Sequence, residues 1–318
     1  MKFATLSHLL TEKNKEQLPK EWFQDDLFIT PEMNISGVKG QIIALTMTAE
    51  QIMKLPRNEV KNKILSAMIY AQDELDINLI QLGALTTSVT DGGTWIIKQK
   101  KYAGYVNHGD SYTAAVTCQA VYKILKNLQK TPENLSLSIV GAYGIIGTAI
   151  SKILVPEFSH TKLIGRKINK FNKLTEELDG NYSISADLKT KKADVVITCT
   201  NHPSALLNSE HLKRNAIIVD VSQPPNVSHD LCIKRPDIIR IDGGFVDFPD
   251  KHYIPLPGVP KGKQFACFVE VIMQALENEQ KNHVGPIDLK HLRKTEKWAN
   301  KYCFKLNELT NFGKPFGI

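Results

Sequence analysis

Ser136-Leu137-Ser138-Ile139-Val140-Gly141-Ala142-Tyr143-Gly144-Ile145-Ile146-Gly147 reads as a short buried strand that runs into a glycine-punctuated turn and then a helix. The spacing Gly141, Gly144, Gly147 is G-x-x-G-x-x-G, a variant of the dinucleotide fingerprint. Each glycine has a physical task. Gly141 makes the tight turn out of the strand, Gly144 removes the Cβ that would hold the backbone off a pyrophosphate, and Gly147 lets the helix sit close on the sheet. The N–H groups at the helix start then face the phosphates. Apolar residues from Leu137 to Val140 and from Ala149 to Leu154, with a stop at Pro156, supply the strand and helix that the fingerprint needs. A plain strand–helix turn is the alternative. Gly141, Tyr143, Gly144, Ile145 and Gly147 are the expected cofactor contacts.

The next strand settles which nucleotide to expect. Thr161-Lys162-Leu163-Ile164-Gly165-Arg166 ends in a cation about twenty positions beyond the turn, where the ribose-reading group belongs. A carboxylate there accepts from the 2′-hydroxyl of NAD and repels the 2′-phosphate of NADP. Arg166 with Lys167 beside it does the reverse, so the expected cofactor is NADPH. Thr200, Ser222 and Gly243, at the carboxyl ends of later strands, complete the expected cofactor set, because ligands of open α/β sheets lie outside those ends.

The whole chain, 318 residues and 35.6 kDa, is long enough for two domains with cores of their own. Its net charge of +7 points to an anionic ligand or an acidic partner. Nucleic acid is not expected, because the basic residues are spread along the chain without an interleaved aromatic platform. The five cysteines are odd in number, far apart and without metal-ligand spacing, which fits a reducing compartment. No histidine pair has zinc spacing, so no metal is expected. Met1 to Gln17 is too polar for a signal peptide, and no apolar run reaches membrane-spanning length. The expected setting is cytoplasmic, with at most peripheral membrane contact.

Taken in order, residues 1–36 read as polar and irregular. Gly40 to Met47 reads as a strand, Thr48 and Gln51 as a capping box, and 57–75 as an amphipathic helix carrying Val60, Ile64, Met68 and Ala71 on one face. Asn78 to Ser88 reads as a buried strand entering the Gly83 loop. Asn107-His108-Gly109-Asp110-Ser111 is a polar turn ahead of a helix over 112–129, well placed to face a cleft. Beyond the glycine turn, strands at 183–187, 193–200, 216–221 and 237–241 alternate with helical stretches. The fold class is therefore α/β: a small N-terminal α/β domain (1–112), a doubly wound parallel Rossmann-type sheet (113–263), and C-terminal helices (264–318) returning to the first domain. Pro255 to Gly262 reads as a loop. It delivers the chain to Gln264-Phe265-Ala266-Cys267-Phe268-Val269-Glu270 at the start of an apolar helix. A cysteine in a first helical turn, with Lys261 and Lys263 upstream, is in a setting that lowers a thiol pKa and makes a nucleophile. Cysteine is also among the residues most often buried in cores, and that reading stays open.

These pieces resemble the cyanobacterial-type long-chain acyl-acyl carrier protein reductases. The resemblance rests on Lys63 to Gln72 with the Gly83 loop, Gly109 to Thr113, the 141–147 turn, Ala193 to Val196, Asp242-Gly243-Gly244 and Gln264 to Glu270. It implies that Cys267 is the acyl-accepting nucleophile and that Gly83, Asn107 and Phe265 meet substrate. It further implies that an acyl carrier protein or CoA thioester is the donor and that NADPH reduces the acyl-enzyme to a fatty aldehyde. Asn107-His108-Gly109 departs from the Thr-Thr-Gly expected there. Shikimate-dehydrogenase-like enzymes and amino-acid dehydrogenases share the layout and supply the alternative, NADP(H)-dependent chemistry on a small hydroxy or amino acid.

Overall fold

A computed structural model describes residues 1–9, 12–202, 204–222, 224–249 and 259–317. Half of the expected Pro255 to Gly262 loop (255–258), and Gln223, lie outside the described residues. The chain divides into two units: 1–112 with 248–288 and 294–304, and 113–247 with 289–293 and 305–318.

In chain order the first unit begins with β1 (Phe3–Leu9), α1 (Glu12–Gln17), β2 (Phe23–Gln24), β3 (Leu27–Ile29), β4 (Met33–Ile35) and β5 (Val38–Thr48). It continues with α2 (Ala49–Lys54), α3 (Arg57–Asp73), β6 (Leu79–Leu82), α4 (Leu85–Val89), α5 (Thr94–Gln99) and β7 (Tyr105–Asn107). The sheet order is β2-β3-β5-β1-β6-β7, with β4 on β5. The pairs β5-β1, β1-β6 and β6-β7 are parallel, and the short strands 23–35 add antiparallel edges.

The expectation of an irregular start is corrected here. Phe3-Ala-Thr-Leu-Ser-His-Leu is a central strand with neighbours on both sides. Its two faces are covered, so it lacks the polar alternation of a half-exposed strand. Ala4, Leu6, Ile43, Ile80, Leu82 and Val106 join Val60, Ile64, Met68 and Ala71 of α3 in one core. The Thr48–Gln51 capping box is present at the start of α2. The strand expected over 78–88 stops at Leu82; Ala84 then takes a positive φ of 53° and α4 begins.

The remaining elements are α6 (Asp110–Asn127), β8 (Ser136–Val140), α7 (Ile145–Leu154), β9 (His160–Ile164), α8 (Asn172–Thr175), β10 (Tyr182–Ser185), β11 (Val195–Thr198), β12 (Ile217–Asp220), α9 (His229–Lys234), β13 (Ile239–Asp242), β14 (Phe245–Asp247), β15 (Lys263–Phe265), α10 (Ala266–Leu276), α11 (Leu289–Tyr302), β16 (Thr310–Asn311) and β17 (Lys314–Pro315). In the second unit β10-β9-β8-β11-β12-β13 form an all-parallel sheet, the doubly wound order.

The units differ from the expected division at residue 263. The described residues 248–249 and 259–263 lie with the first unit, whose sheet α10 covers: Phe268 meets Phe3 edge-on at 6.1 Å, and α10 packs along β1, β5 and β6. The tail from 305 lies instead with the second unit. Thr310 Oγ1 (2.7 Å) and the Gly313 amide (2.8 Å) both donate to Asp242 Oδ2, which pins the terminal hairpin to β13. Among the described residues, no helix is long and apolar enough to cross a membrane.

Candidate functional site

Cys267 is the second residue of α10, behind the N-cap Phe265, so its helix-start position is as the sequence indicated. It is half-buried. Against it lies the turn that follows β7. A Cβ on Gly109 would stand 2.6 Å from both Cα and Cβ of Cys267 and 2.5 Å from its carbonyl oxygen, so only glycine allows this approach, and its φ of +71° suits glycine as well.

The turn is fixed from below by a chain of side chains. Asn107 Oδ1 accepts from the Gly109 amide at 2.6 Å, while its Nδ2 donates to Gln274 Oε1 of α10 at 2.7 Å. Gln274 Nε2 in turn donates to the carbonyls of Glu279 and Lys281. Asn107 is fully buried with both ends of its amide engaged. Asn107, expected to meet substrate, holds the turn in this structure. Next to it, buried His108 accepts at Nδ1 from the Asp110 amide (3.0 Å), which leaves the proton of a neutral ring on Nε2, and the Asp110 carboxylate lies 3.9 Å from Nδ1.

The electrostatics reverse the expectation drawn from the upstream lysines. Burial, with the charges of Asp110 and Glu270, pushes the Cys267 thiol up to about 12 rather than down, against a smaller opposing effect of backbone hydrogen bonds. Glu270 is fully buried and accepts from the Tyr112 amide in the first turn of α6 at 2.7 Å, where a helix N-terminus favours an anion. Burial and the neighbouring Glu270 charge push the Asp110 carboxyl well above the usual carboxylate range. The site thus joins a thiol held protonated to a carboxyl whose proton affinity is raised toward it, a pairing suited to proton transfer. Asp110, Glu270 and His108 were not singled out from the sequence, although they lie inside the quoted stretches.

Of the other residues expected at this site, Phe265 is half-buried at the N-cap of α10. Gly83 closes β6, its amide donating to the Leu6 carbonyl at 2.8 Å.

In the second unit the glycine turn fits a dinucleotide by what a side chain would strike. Gly141 has φ +92°, and a Cβ there would stand 2.5 Å from the Cys199 carbonyl oxygen. One on Gly147 would stand 2.2 Å from the Gly141 carbonyl oxygen. Gly144 is the N-cap of α7, followed by Ile145, so the helix amides open toward the turn. The Tyr143 ring packs edge-on against Phe171 at 5.1 Å, over Gly165 at the end of β9. Arg166 and Lys167 follow that strand and are exposed. A cationic pair after this strand fits the 2′-phosphate of NADP(H).

Three other expected contacts have structural work. Thr200 Oγ1 (2.7 Å) and Ser222 Oγ (2.8 Å) both donate to Asn226 Oδ1, and Ser222 Oγ accepts from the Thr200 amide at 3.1 Å. A Cβ on Gly243 would meet Val221 Cγ2 at 2.6 Å, so that glycine serves packing against β12. Thr200, Ser222 and Gly243, expected at the cofactor, thus also hold the carboxyl ends of their strands together. Sequence reading also missed Arg240. It is buried between Asp220 (3.2 Å) and Asp242 (2.5 Å) with its guanidinium 3.9 Å from the Phe312 ring centroid. Nothing in a strand's composition announces which carboxylates will flank such a side chain.

Comparison with known proteins places this geometry. Residues 123–242 match the shikimate/quinate 5-dehydrogenase family. The chain is 24% identical over 314 residues to the aminotransferase PigE of Serratia sp., covering 92% of this chain but 36% of that protein, so it spans about a third of that relative's length. It is 22% identical to the long-chain acyl-[acyl-carrier-protein] reductase of Synechococcus elongatus, over 77% of this chain and 75% of that one. Among solved structures, L-tryptophan dehydrogenase from Nostoc punctiforme is similar with a TM-score of 0.48 and 12% identity, covering 96% of this chain and 80% of that one. The glycine turn and the match over 123–242 together mark the parallel sheet of the second unit as a dinucleotide-binding α/β fold of the kind NAD(P)-dependent oxidoreductases carry.

Proposed function

We propose that the protein reduces an acyl thioester, carried by an acyl carrier protein or CoA, to an aldehyde through an acyl-enzyme on Cys267. The observation that carries this reading is the half-buried Cys267 at the start of α10 with the Gly109 turn pressed against it and the Asp110 carboxyl acting on it. Asp110, as carboxylate, takes the thiol proton while sulfur attacks the thioester carbonyl, and returns it to the leaving carrier thiol. Gly109 fixes the approach to sulfur, and Asn107 and Gln274 hold Gly109. Bound NADPH supplies the hydride. Asp110, reprotonated from solvent after the carrier thiol leaves, gives that proton to the Cys267 sulfur as its bond to the acyl carbon breaks. Arg166 and Lys167 select the 2′-phosphate, and the net charge of +7 suits an acidic carrier. A fatty acyl group is what the likeness to the acyl-carrier-protein reductase supports.

The match over 123–242 favours a second reading, direct oxidoreduction of a small hydroxy or amino acid with Asp110 as acid–base group. One experiment separates the two. NADPH-dependent aldehyde formation from an acyl-CoA should vanish in Cys267→Ala, whereas direct hydride transfer would survive that change.

A further inference from the structure

The face of the first unit's sheet that α10 covers is unusual in its middle. Thr5 of β1, Gln81 of β6 and Asn107 of β7 stand side by side in register, Thr5 against Gln81 and Gln81 against Asn107. Ala4, Leu6, Ile80, Leu82 and Val106, which alternate with them, point into the apolar core on the α3 side. The three polar side chains therefore share the opposite face, the one where Phe3 meets Phe268 beside Cys267. A buried polar stripe across parallel strands is costly unless partnered.

Asn107 is partnered, as described above; the others are not fully so. Gln81 Nε2 donates to the carbonyls of Leu82 (2.7 Å) and His108 (3.4 Å), which fixes the orientation of its amide and leaves Oε1 buried without a partner. Thr5 Oγ1 is likewise buried and without a partner. The third such atom belongs to β15, the strand that leads into α10. Gln264 is fully buried, its Oε1 accepts from the Phe265 amide at 2.9 Å, and its Nε2 has no partner. Each group is tied to the nucleophile by sequence or by a contact already described. Gln264 precedes Cys267 by three residues, and the carbonyl that Gln81 holds belongs to the residue before Gly109, which touches Cys267.

We propose that Thr5, Gln81 and Gln264 form a substrate subsite for a hydroxyl carried by the acyl group close to its thioester carbonyl. This rests on the acyl-transfer reading of Cys267 and names the substrate class within it. A hydroxyl is the small group that matches the set: its proton goes to Gln81 Oε1, and its oxygen accepts from Gln264 Nε2 or Thr5 Oγ1. An unsubstituted alkyl chain would occupy the same space and leave all three atoms unpartnered. Sites built to hydrogen-bond a substrate hydroxyl reject the analogue lacking it by factors of about 10⁴ where the pairing is complete. The step itself is ordinary transacylation: the bond from Cys267 sulfur to the acyl carbon forms, the bond from CoA sulfur breaks, and the thiol proton leaves with CoA.

The test compares hexanoyl-CoA with 3-hydroxyhexanoyl-CoA, both enantiomers, on the full chain without NADPH, following the Cys267 adduct by intact mass. At low concentration the hydroxylated ester should acylate Cys267 at least about tenfold faster in one enantiomer, and that ratio should fall toward one in Gln81→Leu and in the near-isosteric Thr5→Val. Adducts forming equally fast from both esters in the wild-type protein would overturn the subsite while leaving acyl transfer standing. Absence of an adduct from either ester would overturn acyl transfer itself, and the subsite with it.

Discussion

Two glycine turns do opposite kinds of work in this molecule. The turn at 141–147 is local: Gly141, Gly144 and Gly147 lie within seven residues, and although a Cβ on Gly141 would strike the Cys199 carbonyl, Gly144 and Gly147 avoid the turn's own backbone, as the 2.2 Å approach of a Gly147 Cβ to the Gly141 oxygen shows. The turn at Gly109 is assembled at long range. It presses on Cys267, which is 158 residues away in sequence, and is held by Asn107 on Gln274 of the same distant helix. A local device can be read from spacing and carries its function with it as a unit. An assembled one depends on every element that meets there, so it is where single changes should do the most selective harm.

Gly109→Ala should therefore give the largest effect. The added methyl has backbone to displace, not the end of a flexible side chain, and acylation of Cys267 should fall by about a hundredfold or more through misplacement alone. NADPH affinity, measured by fluorescence titration, should stay within twofold, because the nucleotide turn lies in the other unit. A variant that loses both equally would erase the distinction between the two turns.

Arg166→Ala probes the local device and should be milder. NADPH affinity should drop about tenfold, a change of ~1.4 kcal/mol, with NADH affinity almost unchanged. Equal affinity of the unmutated protein for the two nucleotides would remove the role given to the cation pair.

The smallest expected effect sharpens the electrostatic side of the comparison. Asp110 has its folded pKa raised by burial and by Glu270, so above the unfolded carboxylate value near 4 it costs the fold stability, and below that value it does not. Asp110→Asn should raise Tm by on the order of a few °C at pH 7, with the gain shrinking toward zero as pH falls to about 4. A Tm gain independent of pH, or a loss at pH 7, would contradict the charge-burial account.

How much was legible in the sequence follows the same division. The parallel six-stranded sheet, the glycine turn and the cation after β9 were readable because strand, turn and helix signals lie next to one another. The helix start at Cys267 was readable for the same reason. The thiol's surroundings were not: Lys261 and Lys263 are neighbours in sequence, but its proton affinity is raised first by burial and then by a carboxyl from the start of α6 and another one turn along α10. Asn107 stood as a substrate contact through the family resemblance and its place in a polar turn, and only the structure shows it buried on β7 with its amide on Gln274. The central strand β1 was hidden by its own burial. Thr5, Ser7 and His8 made it look irregular, and its partners β5 and β6 are dozens of residues away.

The central claim is that Cys267 takes the acyl group, and peptide-mapped mass spectrometry after incubation with an acyl-CoA in the absence of NADPH tests it most directly. The account predicts one added acyl mass on the peptide carrying Cys267, removed by hydroxylamine, lost in Cys267→Ser and unaffected by substitution of Cys118, Cys199, Cys232 or Cys303. No adduct on Cys267, with aldehyde still formed at the wild-type rate by Cys267→Ala, would contradict it.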